Sequence, residues 1–396
     1  MSENLSYSLQ WLLNPVQPED FLKNFWESQP LVINRKEDLY WQALLSLDTI
    51  DNIISSLNSK FPDIRIANSK EPVAPENYVV EDGLINVAKL YQYYSNGSTL
   101  ILNQLQKRVP SLAYLCRAME QEFSMPFQTN IYLTPPDSQG FGAHYDTHDV
   151  FILQIAGSKH WRIYNRPIEN PLINQDFMDG DYEIGEPIQE FDLHPGDLVY
   201  IPRGVVHDAV TGKDESLHIT FGALAFTWKD LLIEVVNQIS ISDCDFRRSL
   251  PIGFANQKFN IESIKIILFD LLQKMTSEDA IESTFNYFID KFIATRHPIL
   301  HGQLKHSKKI SIIQYDKILI QRPNVLYRVK ETSESIEIKC YGTKITFPIN
   351  IRESVLFAIT KKQFKIIEIP GEIDFELKKV IIQRLIHEGI IMFQND

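Results

Sequence analysis

Three cysteines in 396 residues, Cys116, Cys244 and Cys340, are too few and too far apart for a disulfide framework or a zinc ribbon. An odd count with such spacing suits a reducing compartment, and a cytoplasmic location is expected. No run approaches the roughly 18 uninterrupted apolar residues of a membrane helix. The opening Met1-Ser-Glu-Asn-Leu-Ser carries an acid and no basic stretch, so neither a secretory signal nor a transit peptide is expected. Basic charge is also scarce: 39 Lys and Arg against 51 Asp and Glu give 39 − 51 = −12. A chain of that balance is not expected to bind nucleic acid through its phosphates. Repeats and low-complexity segments are absent. What remains is an ordinary globular composition, 44% hydrophobic and 23% charged, long enough at about 150 residues per domain for two or three domains.

Charge and pattern both change along the chain. From Ser311 to Asp396 there are 13 basic and 11 acidic residues, a net of +2, so the first 310 carry 26 − 40 = −14. An acidic body suits a basic partner, and it suits simple solubility equally well. Residues 1–226 open with helical pieces (Pro18 to Ser28, Leu84 to Tyr94, Ser111 to Phe123). They then turn to short strand-like runs at Gln128 to Leu133, Val150 to Ile155, His160 to Tyr164, Asp197 to Ile201 and Leu217 to Phe226. Gly and Pro punctuate these runs, which predicts a mainly β sandwich or barrel with helical additions. Residues 227–309 switch to helical spacing, with Leu231, Leu232, Val235, Val236 and Ile239 on one face and further apolar faces at Ile261 to Leu272 and Ile281 to Phe292. Residues 310–396 alternate strands (Val325 to Val329, Ser335 to Cys340, Lys344 to Pro348) with helices at Ile351 to Thr360 and Asp374 to Glu388. This is a small α+β pattern like that of a winged helix.

Six of the ten histidines fall between His144 and His218, and two local patterns there carry chemistry. In His144-Tyr-Asp146, extended geometry would turn an imidazole and a carboxylate to the same side. In Gly196-x5-Pro202-x-Gly204-x2-His207, a strand ends in a Pro-Gly turn that delivers a histidine. Each alone reads as a surface pair or a satisfied turn histidine. Together, in an all-β setting, they match the two-His, one-carboxylate facial set that holds Fe(II) and leaves adjacent positions open for a co-substrate and O2.

On these residues the chain resembles a known family. The Gly196 to His207 element is similar to the second cupin motif. His144-x-Asp146 with Val150-Phe-Ile-Leu-Gln-x-x-Gly157-x-Lys159-His-Trp161 resembles the JmjC-type ribosomal oxygenases, as does the opening Phe21-Leu-x-x-Phe-Trp26-x-x-x-Pro30-Leu31-Val-Ile33. The resemblance implies a double-stranded β-helix followed by a helical dimerisation region and a winged-helix-like domain. It implies Fe(II) at His144, Asp146 and His207, with 2-oxoglutarate and O2 as co-substrates, and hydroxylation of an arginine or histidine side chain in a ribosomal protein. It further implies Lys159 as the anchor of the distal carboxylate of 2-oxoglutarate, assisted by Asn130 and Tyr132, with Thr220 the nearest hydroxyl on a late strand. Gly222 stands where some members have serine.

The loop before the first motif, Pro135-Pro-Asp137-Ser-Gln139-Gly140, is expected to form the mouth of the site, where Asp137 would pair with a cationic side chain and Gln139 would assist. The simple alternative for Asp137 is a solvated turn. His148 would compete as a ligand if its strand stayed regular, and it is expected instead beside the substrate. His160 and His218 are read as core or supporting residues and Trp161 as barrel core. Lys378, Lys379 and Arg384 on the last helix are read as a solvated face and not a DNA-reading one. Rival readings are an N-methyl demethylase, a metal-binding cupin that is not an oxygenase, and an interaction protein with a relict pocket. The expected partners are a protein or peptide substrate and a second copy of the chain, with no nucleic acid and no membrane.

Overall fold

The computed structural model describes residues 7–56, 58–256, 260–309 and 317–394. Residues 1–6, on which the reading of the N-terminus rests, and 310–316, next to the expected boundary at 309/310, lie outside that range. The chain divides into two compact units, Met1–Ala225 and Phe226–Asp396.

The first unit opens with helices α1 (Leu9–Leu13), α2 (Pro18–Asn24), α3 (Leu47–Ser56), α4 (Val87–Ser95) and α5 (Pro110–Phe123). Their starts are written locally. Pro18 and Pro110 sit at first-turn positions where a missing N–H costs nothing, and the Asn86 side chain caps α4 by accepting from Lys89 N. Its strands are β1 (Leu31–Ile33), β2 (Ile64–Ala67), β3 (Thr99–Leu102), β4 (Phe127–Thr134), β5 (Asp149–Ala156), β6 (Lys159–Ile163), β7 (Gln189–Leu193), β8 (Leu198–Ile201), β9 (His207–Val210) and β10 (Ser216–Ala223). They form a seven-stranded sheet ordered β1-β8-β5-β10-β4-β3-β2 and a three-stranded sheet ordered β7-β6-β9, antiparallel throughout.

Between the two sheets lies a core of Val150, Ile152, Val199 and Ile201 from the large sheet against Trp161, Ile163 and Leu193 from the small one. The other face of the large sheet packs Phe151, Leu153, Ile131, Ile219 and Phe221 against the N-terminal helices. Central β5 is therefore covered on both faces, which is why Asp149 to Gln154 are all buried and Val150 to Leu153 form a continuous apolar run. β4 instead alternates, sending Phe127, Ile131 and Leu133 into the helix-side core and even-numbered residues toward the small sheet. The run expected as a strand through Phe226 stops at Ala223, and Phe226 packs edge-on against Phe288 in the second unit, ring centres 4.9 Å apart.

The second unit holds α6 (Trp228–Ser242), α7 (Glu262–Met275), α8 (Glu278–Ala294) and α9 (Gln303–Lys309), then strands β11 (Ile318–Gln321), β12 (Tyr327–Glu331), β13 (Ser335–Cys340), β14 (Thr343–Pro348), β15 (Gln363–Lys365) and β16 (Ile391–Phe393), with α10 (Arg352–Thr360) and α11 (Phe375–His387). A reciprocal capping box between Thr227 and Asp230 starts α6. Gly389, at φ +73°, provides the left-handed turn after α11, directly after the expected helix end at Glu388. Helix α8 is tied to the β12–β13 ribbon through Asp290, whose carboxylate accepts from Lys330 and Lys339 at 2.7 Å each and from Arg328 at 3.1 Å. Burial pushes that carboxyl up, but the lysine contacts outweigh it and hold it at about 2. Large apolar side chains on α6 and α7 face solvent, among them Trp228 at 80% exposure and Ile266 at 75%.

Candidate metal centre

Ligand atoms of His144, Asp146 and His207 lie within 4.8 Å of one another, and His207 Nε2 is 3.7 Å from Asp146 Oδ2. The His-x-Asp pair was expected on a regular strand. Instead, His144 makes an isolated bridge to His207, with N–H···O bonds of 3.1 and 2.8 Å in the two directions, and Asp146 follows in a loop. Alternation still governs where the side chains go: the intervening Tyr145 turns to the opposite side and is buried with Tyr164 and Val206.

Each histidine is set by its own backbone. His144 Nδ1 lies 2.8 Å from the carbonyl oxygen of Gly142, and His207 Nδ1 lies 3.0 Å from that of Val205. A ring N–H donated to a carbonyl from Nδ1 leaves Nε2 as a lone pair for a metal. Burial, then the neighbouring His144, lowers His207 to about 4, so its ring is neutral at pH 7. Burial alone would raise the Asp146 carboxyl. The surrounding imidazoles of His148, His144 and His207 reverse this and keep it below the usual carboxylate value.

The pocket beside the triad is lined by Tyr132, Phe141, Ile152, Lys159, Trp161, Asp208, His218 and Thr220, among others. Lys159 is 5% exposed, its ammonium donates to Thr134 Oγ1 at 3.1 Å, and it has no carboxylate partner among the described residues. Burial pulls that ammonium down to about 7. Trp161 Nε1 and His218 Nδ1 are buried in the same pocket and lack hydrogen-bond partners. A buried cation with two unused ring nitrogens beside it is the donor set that a carboxylate would satisfy.

The expected co-substrate residues divide. Tyr132 and Thr220 line this pocket with Lys159, whereas Asn130 is not part of the lining and its Oδ1 accepts from Gln104 N at 3.0 Å. The expected substrate residues divide too. Asp137 lies at the surface paired with Lys213 at 3.3 Å, outside the pocket lining. Gln139 reaches Asp208 Oδ2 at 3.5 Å, and that carboxylate is already gripped by Arg162 at 2.7 and 2.6 Å. His148 sits in a bend before β5 and lies outside the three-residue ligand set. Its ring packs on Gly222, where a Cβ would come within 2.6 Å of Cδ2, so a side chain at 222 would displace it.

Sequence reasoning missed Thr134, although it shares the even-numbered face of β4 with Tyr132, and that alternation could have found it. Trp161, expected as barrel core, packs the inter-sheet core and also lines the pocket. His160, read from the sequence as a core or supporting residue, lies at the surface between Asp192 (2.9 Å) and Glu190 (3.0 Å). It faces out because β6 alternates and Lys159 and Trp161 take the inward positions.

A model of the JmjC domain matches residues 101–231. The chain carries a JmjC domain. Beyond that domain, the "Bifunctional lysine-specific demethylase and histidyl-hydroxylase NO66" of Aedes aegypti is 32% identical over 325 residues, covering 76% of this chain and 50% of the relative. Ribosomal oxygenase 1 of Danio rerio is 30% identical over 258 residues, covering 62% and 46%. The chain thus spans about half the length of these curated relatives. Among solved structures, Escherichia coli YcfD superposes with a TM-score of 0.57 at 16% identity, covering 96% of this chain and 98% of YcfD. A form of YcfD described as a ribosomal oxygenase in complex with cobalt and 2-oxoglutarate gives 0.56 at 15%, covering 96% and 99%. At that identity the likeness is one of fold. The JmjC domain contains all three residues of the ligand set and the buried lysine.

Proposed function

We propose that the chain is an Fe(II)- and 2-oxoglutarate-dependent oxygenase that hydroxylates a protein or peptide side chain, with a ribosomal protein as the leading substrate class. The observation carrying this reading is the juxtaposition of the His144–Asp146–His207 set with a buried lysine that has no carboxylate partner among the described residues. When bound, the metal and 2-oxoglutarate supply the oxidising power that inserts one atom of O2 into an unactivated C–H bond, leaving succinate and CO2. The protein contributes position. His144 and His207 offer Nε2 and Asp146 a carboxylate. Lys159, steadied by Thr134, takes the distal carboxylate of 2-oxoglutarate. Tyr132, Trp161, His218 and Thr220 close the pocket around it and keep water out.

Of the two candidate substrates, imidazole is favoured over guanidinium. An arginine would want a free carboxylate at the pocket. Asp137 is turned toward Lys213, and Asp208 is occupied by Arg162. The Aedes aegypti relative's description as a histidyl-hydroxylase points the same way. Because that relative is also described as a lysine-specific demethylase, N-demethylation is the second reading; hydroxylation of an N-methyl group would release formaldehyde. The solvent-facing apolar side chains of α6 and α7 support a homodimer. The strand and helix order after β11 supports a winged-helix-like domain, and the cysteine usage supports a reducing setting such as the cytoplasm; no helix among the described residues is long and apolar enough to cross a membrane.

The test is succinate production by the purified chain with Fe(II) and ascorbate. Histidine-containing basic ribosomal peptides should raise it above the peptide-free rate and gain the mass of one oxygen. Arginine-only peptides and nucleic acid should not. His144→Ala or Asp146→Ala should abolish turnover. Undiminished turnover in both variants overturns the metal assignment, and formaldehyde from a methyl-lysine peptide without mass gain on histidine favours the second reading.

A further inference from the structure

The turn that delivers His207 is locked by a buried ion pair. Arg203 Nη1 lies 2.5 Å from Asp149 Oδ2, and Nη2 lies 2.7 Å from Glu27 Oε1. The Arg203 side chain is 7% exposed and that of Asp149 fully buried. The other Asp149 oxygen accepts from Tyr200 OH at 2.8 Å and from Arg203 N at 3.4 Å. Arg166 in turn donates to the Arg203 carbonyl at 3.2 and 2.9 Å. Gly204 has φ +84°, and a Cβ there would fall 2.0 Å from the Ile168 carbonyl oxygen, so the turn is confined to one backbone conformation.

Asp149 follows Asp146 by three residues, and Arg203 precedes His207 by four. Between them Gly204 N donates to the Asp146 carbonyl at 3.0 Å, while the His144–His207 bridge joins the same two segments on the other side of the ligand set. We infer that the Arg203–Asp149 pair, closed on its open side by Glu27, is a positioning latch that fixes the separation of Asp146 and His207 and so sets the affinity and coordination geometry of a divalent cation held there. This rests on the metal-centre reading given above.

A buried ion pair is a poor source of net stability, because the cost of desolvating two charges offsets most of their attraction. Its distinctive contribution is direction. The guanidinium fork donates to two carboxylates only along fixed vectors, which a lysine ammonium does not require. Burial works against the charge on Arg203, yet Asp149 and Glu27 outweigh it and the guanidinium stays protonated. The latch therefore joins three parts of the first unit: the segment after α2, the start of β5 and the turn after β8.

The experiment is Co(II) binding to the full chain, followed by calorimetry and by visible absorption, with no co-substrate present. Two latch variants are used: the neutral pair Asp149→Asn with Arg203→Gln, and Arg203→Lys, which keeps the charge and loses the fork. Both should retain the far-ultraviolet dichroism of the parent while Co(II) affinity falls at least about tenfold, the scale for groups that orient metal ligands, and the absorption bands shift. His144→Ala should remove binding outright. If His144→Ala loses Co(II) while a folded latch variant binds with parental affinity and spectrum, the latch is refuted and the metal centre stands. If His144→Ala binds Co(II) as the parent does, the metal-centre reading falls and the latch with it. Should the neutral pair fail to fold, Arg203→Lys alone decides between these outcomes.

Discussion

Lys159 should take up a proton when 2-oxoglutarate binds. Burial without a counter-charge lowers its ammonium from 10.5 to about 7. At about 1.4 kcal/mol per unit, that is ~5 kcal/mol against carrying charge in the co-substrate-free pocket. A carboxylate placed against Nζ removes the cause, and the ammonium returns toward its ordinary value. Binding should therefore draw roughly half a proton at pH 7, about 0.9 at pH 8 and about 0.1 at pH 6. Calorimetric titration of the Mn(II)-loaded chain with 2-oxoglutarate, in buffers of different ionisation enthalpy, reads the number directly. Lys159→Arg should bind without uptake, because a guanidinium is charged throughout. Lys159→Met should weaken binding about tenfold or more, the worth of a charge-assisted contact. The stability of the co-substrate-free chain follows with its own sign. A lysine whose folded pKa is depressed destabilises fully below about 7, and the penalty is relieved as pH rises toward 10.5. A binding enthalpy at pH 8 that does not depend on the buffer, or the same dependence in Lys159→Arg, would refute the reasoning.

Two further expectations concern the second unit. Asp290→Asn should destabilise that unit by about 2 kcal/mol at pH 7, read from denaturant midpoints; because the folded pKa is depressed to about 2, the native contribution is present above the ordinary carboxylate value and fades as pH falls from about 4 to 2, so the variant's deficit should shrink over that window. Ile266→Asp with Phe269→Asp replaces side chains that are 75% and 65% exposed, so the subunit should stay folded while sedimentation shows the dimer dissociating; a parental chain that sediments as a monomer at micromolar concentration removes the dimer.

The strands bearing the site were legible because burial imposes a period on them. β4, β5, β6, β8 and β10 all lie on runs whose apolar spacing marks them, and α5 and α11 run close to where helical spacing places them. Of the strands that were missed, β7 (Gln189–Leu193) has a weak pattern because it is an edge strand with mostly exposed side chains. Helix α3 (Leu47–Ser56) was missed although its buried Ile50, Ile53 and Ile54 stand at the i, i+3, i+4 spacing of one helical face. The order in which ten strands divide between two sheets depends on long-range pairing, which no local period encodes.

For the site, the clustering of His144, Asp146 and His207 was readable because each lies in or beside a motif whose backbone aims its side chain. His144 and His207 each have Nδ1 near the carbonyl two residues earlier, and Gly204 is required by the close approach of Ile168. The second layer of the site was not readable, since it joins residues far apart in sequence: Lys159 with Thr134, Arg162 with Asp208, and Arg203 with Glu27. The Arg162–Asp208 pairing, together with that of Lys213 and Asp137, changes the chemistry that the sequence suggests. Counted along the chain, an acidic first 310 residues and a mouth-loop aspartate favour a cationic substrate. Counted in space, Asp137 and Asp208 each have a cation of their own. Apart from Asp146, in the ligand set, the lining then offers no carboxylate free of a cation among the described residues. An imidazole, neutral at pH 7 and needing no counter-ion, can occupy such a pocket without leaving a buried charge unpaired, whereas a guanidinium would bear that desolvation cost in full.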